Sequence, residues 1–281
     1  MRVSVVGHIE WVRFLKLAQF PRSGQILRAE DAWDEAAGGG SVAAVELARL
    51  AGSCLFFTAL GNDGVTALAR DALEARGVRV RAAARQAPQR RATTLIGPEG
   101  DRSIIVYGPA FGPAAEDALG FEDLAGCDAV YLCKADPALV RLARQARVLV
   151  ATARILPILR EAKVVVDALV RSANDESEAY CAGDLEPLPR LVVSTEGASG
   201  GSYESLSGEI GRWAPEPLPG PIQDTYGAGD SFAAGLCYAL AARLSLPEAV
   251  RFAARRGALA LCRRGAHGLP PATLSLSQPS F

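Results

Sequence analysis

Two glycines, Gly227 and Gly229, stand directly before an acid, Asp230, and the apolar run Phe232 to Leu244 follows with helical character. Glycine lets the backbone adopt positive φ and turn its N–H groups inward. The first turn of a helix adds unsatisfied donors and the positive end of a dipole. Together they make an anion nest, a seat for phosphate or for a developing oxyanion. A carboxylate beside such a nest repels phosphate. Asp230 is better suited to take the proton of a hydroxyl that attacks the phosphorus held there. The plainer alternative is a helix-capping Asp after a tight turn.

The whole run, Asp224-Thr225-Tyr226-Gly227-Ala228-Gly229-Asp230-Ser231-Phe232-Ala233-Ala234-Gly235, resembles the C-terminal signature D-T-x-G-A-G-D-x-F-x-x-G of the ribokinase-like (PfkB) carbohydrate kinases. It matches at every fixed position. The resemblance implies that residues 227–230 form the anion hole and that Asp230 is the catalytic base.

Composition narrows the class. The 281 residues are 49% hydrophobic and 22% charged, with 30 basic against 31 acidic residues, values of a globular chain long enough for a large core. The near-neutral balance leaves no electrostatic footprint for nucleic acid or an anionic membrane. Six cysteines without C-x-x-C pairs, mostly in apolar stretches, read as reduced buried thiols. Two histidines, His8 and His267, exclude a histidine-rich metal centre, and His8 reads as packed or surface-lying. Residues 1–7 are too short for a secretory h-region, and no apolar run reaches membrane-spanning length. The expectation is a soluble cytoplasmic protein.

Along the chain, Arg2 to Val6 reads as a buried strand ending at Gly7, so the residues after it face a ligand crevice. Relatives often carry a sugar-binding Asp there; here Val12 takes that place and Glu10 is the nearest acid. Pro21 to Ala36 is polar and broken, with Gln25 to Ala32 able to supply lid strands. The Gly38-Gly39-Gly40 turn opens a helix over Val42 to Leu50 and resembles the family's N-terminal signature against the substrate, without its Asn. It does not fit G-x-G-x-x-G. Ser53 to Leu60 reads as a strand, Thr66 to Arg76 as a helix closed by Gly77, and Val78 to Val80 as a short strand. Thr93 to Ile96 and Ser103 to Tyr107 form a hairpin signal. Arg102 at its base is a candidate substrate or phosphate contact, with a solvated arginine as the alternative.

A βαβ rhythm follows: strands at Ala129 to Cys133, Val148 to Ala151 and Lys163 to Asp167, with helices at Pro137 to Arg147 and Leu156 to Glu161. Asn174-Asp175-Glu176-Ser177-Glu178 resembles the family's N-x-x-E element, which orders magnesium-bound water. Glu178 fits, with Asn174 or Asp175 as its companion; a charged helix start is the alternative. The strand Leu191 to Ser194 leads to Thr195-Glu196-Gly197-Ala198-Ser199-Gly200, which resembles the family's nucleotide loop. The resemblance thus implies ATP contacts at Thr195, Gly197, Gly200 and Thr225. After an extended proline-rich stretch (Trp213 to Pro221), Phe232 to Arg243 and Pro247 to Cys262 read as helices. The resemblance also leaves room for a monovalent cation near Gly265-Ala266-His267-Gly268.

These expectations combine into a single α/β domain with the ribokinase-like three-layer fold: a central, mostly parallel sheet with helices on both faces. A small β-lid comes from about 11–37 and 90–109. The implied activity is transfer of the γ-phosphoryl of ATP, with Mg2+, to a hydroxyl of a sugar-like small molecule. Asp230 is its base, residues 227–230 its anion hole, and Glu10, Gly38, Gly39, Gly40 and Arg102 its substrate side. No Walker loop is present, which disfavours a P-loop kinase. A nucleoside kinase of the same family and a nucleotide- or metabolite-binding regulator without turnover are the alternatives. The exposed lid sheet could pair with a second copy.

Overall fold

The computed structural model describes residues 1–268. The chain begins with β1 (Val3–Val6) and leaves for a small sheet as β2 (Glu10–Lys16) and β3 (Asp31–Ala37). It returns through α1 (Gly39–Ala51), β4 (Cys54–Leu60), α2 (Val65–Glu74) and β5 (Val78–Ala84). A second excursion makes β6 (Arg91–Ile96) and β7 (Arg102–Tyr107). The main body then continues with β8 (Ala129–Leu132), α3 (Pro137–Ala143), β9 (Val148–Thr152), α4 (Leu156–Ala162), β10 (Ala168–Ser172) and β11 (Leu191–Thr195). It closes with β12 (Gly201–Ser205), β13 (Ile210–Trp213), α5 (Ala228–Ala241) and α6 (Leu246–Leu261).

Among the described residues the larger sheet runs β13-β12-β11-β10-β9-β8-β1-β4-β5, parallel from β11 to β5 and antiparallel only at the β11–β12–β13 end. Strand residues alternate between two cores, as a sheet covered on both faces requires. Val5, Phe56, Tyr131, Val150 and Val193 pack with α1, α2, α5 and α6. Val6, Phe57, Val130 and Leu149 pack with α3 and α4. The three-layer reading therefore holds. The order reverses at β1, whose neighbours β4 and β8 both lie beside it in parallel. Such a switch point opens a crevice at the strands' carboxyl ends.

The small sheet has the order β3-β2-β6-β7. A third cluster, including Val12, Phe14, Ala92, Ile96 and Trp33, ties it to Tyr226 of the Gly-rich run. Phe14 stacks on Trp33 and meets Tyr226 edge-on, both at 5.1 Å between ring centres.

Several boundaries differ from the sequence expectations. The lid strand lies at Asp31–Ala37, not Gln25 to Ala32, because its partner β2, which periodicity does not mark, pairs Glu10 with Ala37 and Lys16 with Asp31. The strand expected at Lys163 to Asp167 is Ala168–Ser172. Lys163 is left-handed (φ 53) and ends α4. The Asp167 carboxylate then accepts from Arg144, Arg190 and the Leu149 N–H, which makes it a corner and not a ladder residue. Strand β13 lies in a stretch whose spacing predicts no strand, and α5 begins at Ala228, four residues before the apolar run.

One buried ionic cluster fastens the helices behind the site. Glu46 on α1 is 1% exposed and accepts from Arg256 on α6, and from Arg263 at 2.8 Å. Arg49 stands at 3.5 Å and donates onward to the His267 carbonyl at 2.6 Å. Burial pushes the Glu46 carboxyl up, but Arg263 and Arg256 outweigh it and hold the group below its ordinary value of 4.5. Its stabilising contribution is therefore present above pH 4.5 and lost as pH falls below it. Glu46→Ala strands two arginines in the interior and should cost about 3–5 kcal/mol in urea unfolding at neutral pH.

Candidate active site

The Gly227–Asp230 run sits where α5 begins. Gly227 is left-handed (φ 71), and a Cβ there would lie 2.9 Å from Val42 Cγ1. Ser231 N–H donates to the Gly227 carbonyl at 2.8 Å, closing the first helical turn. The N–H groups of Gly227, Ala228, Gly229 and Asp230 thus have no acceptor within the helix. They point past the helix end, a ready site for an anion.

Asp230 projects from that turn against α1. A Cβ on Gly39 would stand 2.7 Å from Asp230 Oδ1, and one on Gly40 would stand 2.6 Å from the His8 carbonyl. Only glycines let the two helix starts and the end of β1 meet so closely. Gly38 (φ 89) precedes α1, and its N–H donates to the Tyr226 hydroxyl at 2.9 Å. His8, which follows β1, accepts the Gly39 N–H on Nε2 at 3.3 Å. That contact needs a neutral ring, and burial pushes the His8 pKa down to about 4, against the pull of Asp230. The nearby charges of Arg90, Arg154 and Lys134 push the same way as burial.

Glu10, on β2, is nearly buried. Its Oε1 lies 2.9 Å from Arg90 Nε and 4.0 Å from His8 Nε2. Burial raises its pKa, and Arg90 opposes the rise. Arg102, at the base of the lid hairpin, donates to both the carbonyl and the hydroxyl oxygen of Thr225 and lies 5.9 Å from the Tyr226 ring centre. It bonds to the signature loop while remaining exposed. Thr225 also donates its N–H to the Gly100 carbonyl in the hairpin turn. Asp224 is buried, and its two oxygens accept the N–H groups of Tyr226 and Gly265 at 2.8 and 2.7 Å. Burial nonetheless pushes its pKa up to about 6.

The remaining candidates lie across the sheet. Thr195 ends β11 and donates its hydroxyl to the Arg171 carbonyl at 3.3 Å. Gly197 and Gly200 both have positive φ, and a Cβ on Gly200 would collide with the Trp213 carbonyl. Asn174 Nδ2 lies 3.7 Å from where a Gly197 Cβ would stand, so this amide faces that loop. Asp175 turns away, its Oδ1 accepting from the Ser177 N–H and hydroxyl at 2.9 and 2.7 Å. Glu178 is 3% exposed and accepts from Ser172 N–H and from Arg154 Nε, each at 2.7 Å.

Arg154 is the site residue that no sequence motif marks. It follows β9 and bridges two acids: Nε to Glu178 Oε1 at 2.7 Å and Nη1 to Asp230 Oδ1 at 3.4 Å. Position just past a parallel strand is the one signal that could have found it. The same signal would have found Lys134, just past β8. Among the described residues no group of three or more His, Cys, Asp or Glu could by itself hold a metal ion, and no helix is long and apolar enough to cross a membrane.

A helix start and an aspartate thus lie together at the switch point of the sheet. Comparison with known proteins gives the class. The pfkB family carbohydrate kinase model matches residues 125–272, so the chain belongs to that family and by class is an ATP-dependent carbohydrate kinase. The chain is 27% identical to an ATP-dependent ribose-1-phosphate kinase from Halopiger xanaduensis, over 97% of its own length and 96% of that protein's. A ribokinase from Bacillus subtilis is 38% identical over 89 residues, 31% of this chain and 29% of the relative. Among solved structures, a ribokinase from Thermotoga maritima superposes with a TM-score of 0.76 at 21% identity, covering 95% of both chains. Arabidopsis thaliana ribokinase complexed with ribose and ATP superposes at 0.72 and 20%, covering 96% and 95%. Those two likenesses speak for the fold.

The close approach at Gly39 makes a direct test. Gly39→Ala must displace the Asp230 carboxylate. Its kcat should fall about 10²-fold, the scale of an ångström's misplacement, while circular dichroism and the unfolding midpoint stay near wild type.

Proposed function

We propose that this protein transfers the γ-phosphoryl of ATP to a hydroxyl of a sugar or sugar phosphate, with Asp230 as general base. The observation that carries the reading is Asp230 itself, held against Gly39 at the mouth of the 227–230 nest. The acceptor hydroxyl would lie between the two, within reach of the carboxylate, and lose its proton to Asp230 as it attacks phosphorus. The N–H groups of residues 227–230 would take up charge on the phosphoryl oxygens. Arg154, already between Asp230 and Glu178, adds a cation on the same side. Catalysis of this kind is chiefly positioning and electrostatics, which suits donors that belong to rigid backbone.

The acceptor side would be Glu10, the Gly38–Gly40 turn and Arg102, the last acting through Thr225. ATP would lie along Thr195, Gly197 and Gly200, leading its phosphates to Thr225 and the nest. Mg2+ needs only one or two carboxylates besides phosphates and water. Glu178 fits such an outer-shell place, with Asn174 favoured over Asp175 because it faces the nucleotide loop. When bound, the ion would neutralise phosphate charge. A monovalent cation would belong near Gly265, where the Asp224 carboxylate, bonded at both oxygens by Tyr226 and Gly265 N–H groups, adds negative charge. The relative from Halopiger xanaduensis, by its name, acts on a sugar phosphate, which supports including that class.

Asp230→Asn tests the base. ADP release with Mg-ATP across sugars, sugar phosphates and nucleosides should fall by about 10²–10⁴-fold in this variant, with ATP affinity retained. An unchanged rate would remove Asp230 from the mechanism, and binding of ATP without acceptor-dependent release in the wild type would favour a regulator.

We further propose a homodimer through the lid. Strand β7 is an open edge, and Ile104, Ile105, Val106 and Tyr107 on it are 41–58% exposed. An uncovered apolar edge is a template for pairing with a second copy. Wild type should sediment as a dimer and Ile105→Lys as a monomer; a monomeric wild type at micromolar concentration would end the proposal.

A further inference from the structure

The crevice carries a cation that the proposed mechanism leaves unused. β1 and β8 are parallel neighbours, with Val6 opposite Leu132. The residues that follow them therefore emerge side by side at the carboxyl edge: Gly7 and His8 from one, Cys133 and Lys134 from the other. Cys133 N–H donates to the Val6 carbonyl at 3.0 Å, and Lys134 N–H reaches the same oxygen at 3.4 Å. The Cys133 sulfur fills the place of a side chain on Gly7, at 2.5 Å from where its Cβ would be.

The Lys134 stem is held. It runs along Gly112, where a Cβ would stand 2.7 Å from Lys134 Cγ and 3.3 Å from Cε. Gly112 is in turn anchored by Arg85, which donates to its carbonyl at 2.9 Å and forms a two-point pair with Asp117. A methyl at position 112 would push the lysine aside. Lys134 is half-buried, yet the ion pairs of the crevice are Arg90–Glu10, Arg154–Glu178 and Arg154–Asp230. Lys134 enters no ion pair among the described residues.

A lysine held in place with no ion pair among the described residues leaves a charge that a ligand can answer. The field agrees with the geometry: at His8, in the centre of the crevice, Arg90, Arg154 and Lys134 all act against protonation, and Asp230 is the acid that favours it. A neutral sugar would leave the Lys134 charge unanswered. A carboxylate or phosphate on the acceptor would answer it.

We propose that the acceptor carries an anionic group, apart from the hydroxyl that is phosphorylated, and that Lys134 at the end of β8 receives it. This rests on the kinase reading above and narrows its substrate class to sugar phosphates or sugar acids. Lysine suits the role as a point charge, with Gly112 fixing its stem so that less rotamer freedom is lost on binding.

The decisive experiment is ADP release with Mg-ATP for wild type, Lys134→Gln and Lys134→Arg. The acceptors are ribose, ribose 1-phosphate, ribose 5-phosphate and gluconate. Wild type should use a phosphorylated or carboxylated acceptor with kcat/KM at least about tenfold above that for ribose. Lys134→Gln should raise KM for that acceptor about 10–100-fold with a smaller change in kcat, the mark of a binding contact. Lys134→Arg should restore part of it. The two phosphates against gluconate separate phosphate from carboxylate as the group recognised. A wild type that prefers ribose, or a Lys134→Gln with unchanged KM for its anionic acceptor, overturns the anion site while the kinase reading stands. If the wild type releases no ADP with any acceptor yet binds ATP, the kinase reading falls and the anion site falls with it. A Lys134→Gln protein that unfolds is replaced by Gly112→Ala, which displaces the same ammonium and should raise the same KM.

Discussion

The site depends on one close approach: the start of α5 and the start of α1 meet at the carboxyl end of β1, with Asp230 lying on Gly39. Each helix start brings the positive end of its dipole toward that point, although the Gly38 and Gly39 N–H groups of α1 are already taken by Tyr226 and His8. An aspartate placed there is favoured by both dipoles and bonded by Arg154. A side chain on Gly40 would push α1 off the end of β1, since its Cβ would land 2.6 Å from the His8 carbonyl, whereas one on Gly39 would displace the Asp230 carboxylate, 2.7 Å away. Backbone proximity, with the Arg154 contact at 3.4 Å, sets the position of the Asp230 carboxylate.

Behind this point the packing is made rigid by charge and in front of it by aromatic contact. Glu46 on α1, gripped by Arg256 and Arg263, fastens the helix layer from behind. In front, Phe14 and Trp33 of the lid bear on Tyr226, whose hydroxyl accepts from Gly38. Arg102 then binds the lid hairpin to Thr225. The lid and the Gly-rich loop therefore share contacts.

The electrostatics divide the crevice into two ends. On one side Arg154 lies between Asp230 and Glu178. On the other, Glu10 pairs with Arg90 and Lys134 stands apart. His8 in the middle stays neutral, pushed down to about 4 chiefly by its burial, and so serves as an acceptor for the Gly39 N–H.

Local chemistry in the sequence determined the parts that depend on near neighbours. The D-T-x-G-A-G-D run, the Gly38–Gly40 turn, the β6–β7 hairpin and the alternation of strands with helices could all be read, because glycine φ, helix starts and hydrophobic period are properties of a few adjacent residues. Tertiary structure alone decided the rest. Strand β2 reads as no clear strand because its partner β3 begins 15 residues after it ends. His8, Lys134 and Arg154 belong to no motif, and they converge because β1, β8 and β9, distant in the chain, end at the same edge of one sheet, while Arg90 comes in just before β6 of the small sheet. That Asn174 faces Gly197 while Asp175 closes its own turn is likewise visible only in the folded chain. A contact across 76 residues, as between Arg154 and Asp230, is set by sheet order and burial, and neither is written in local spacing.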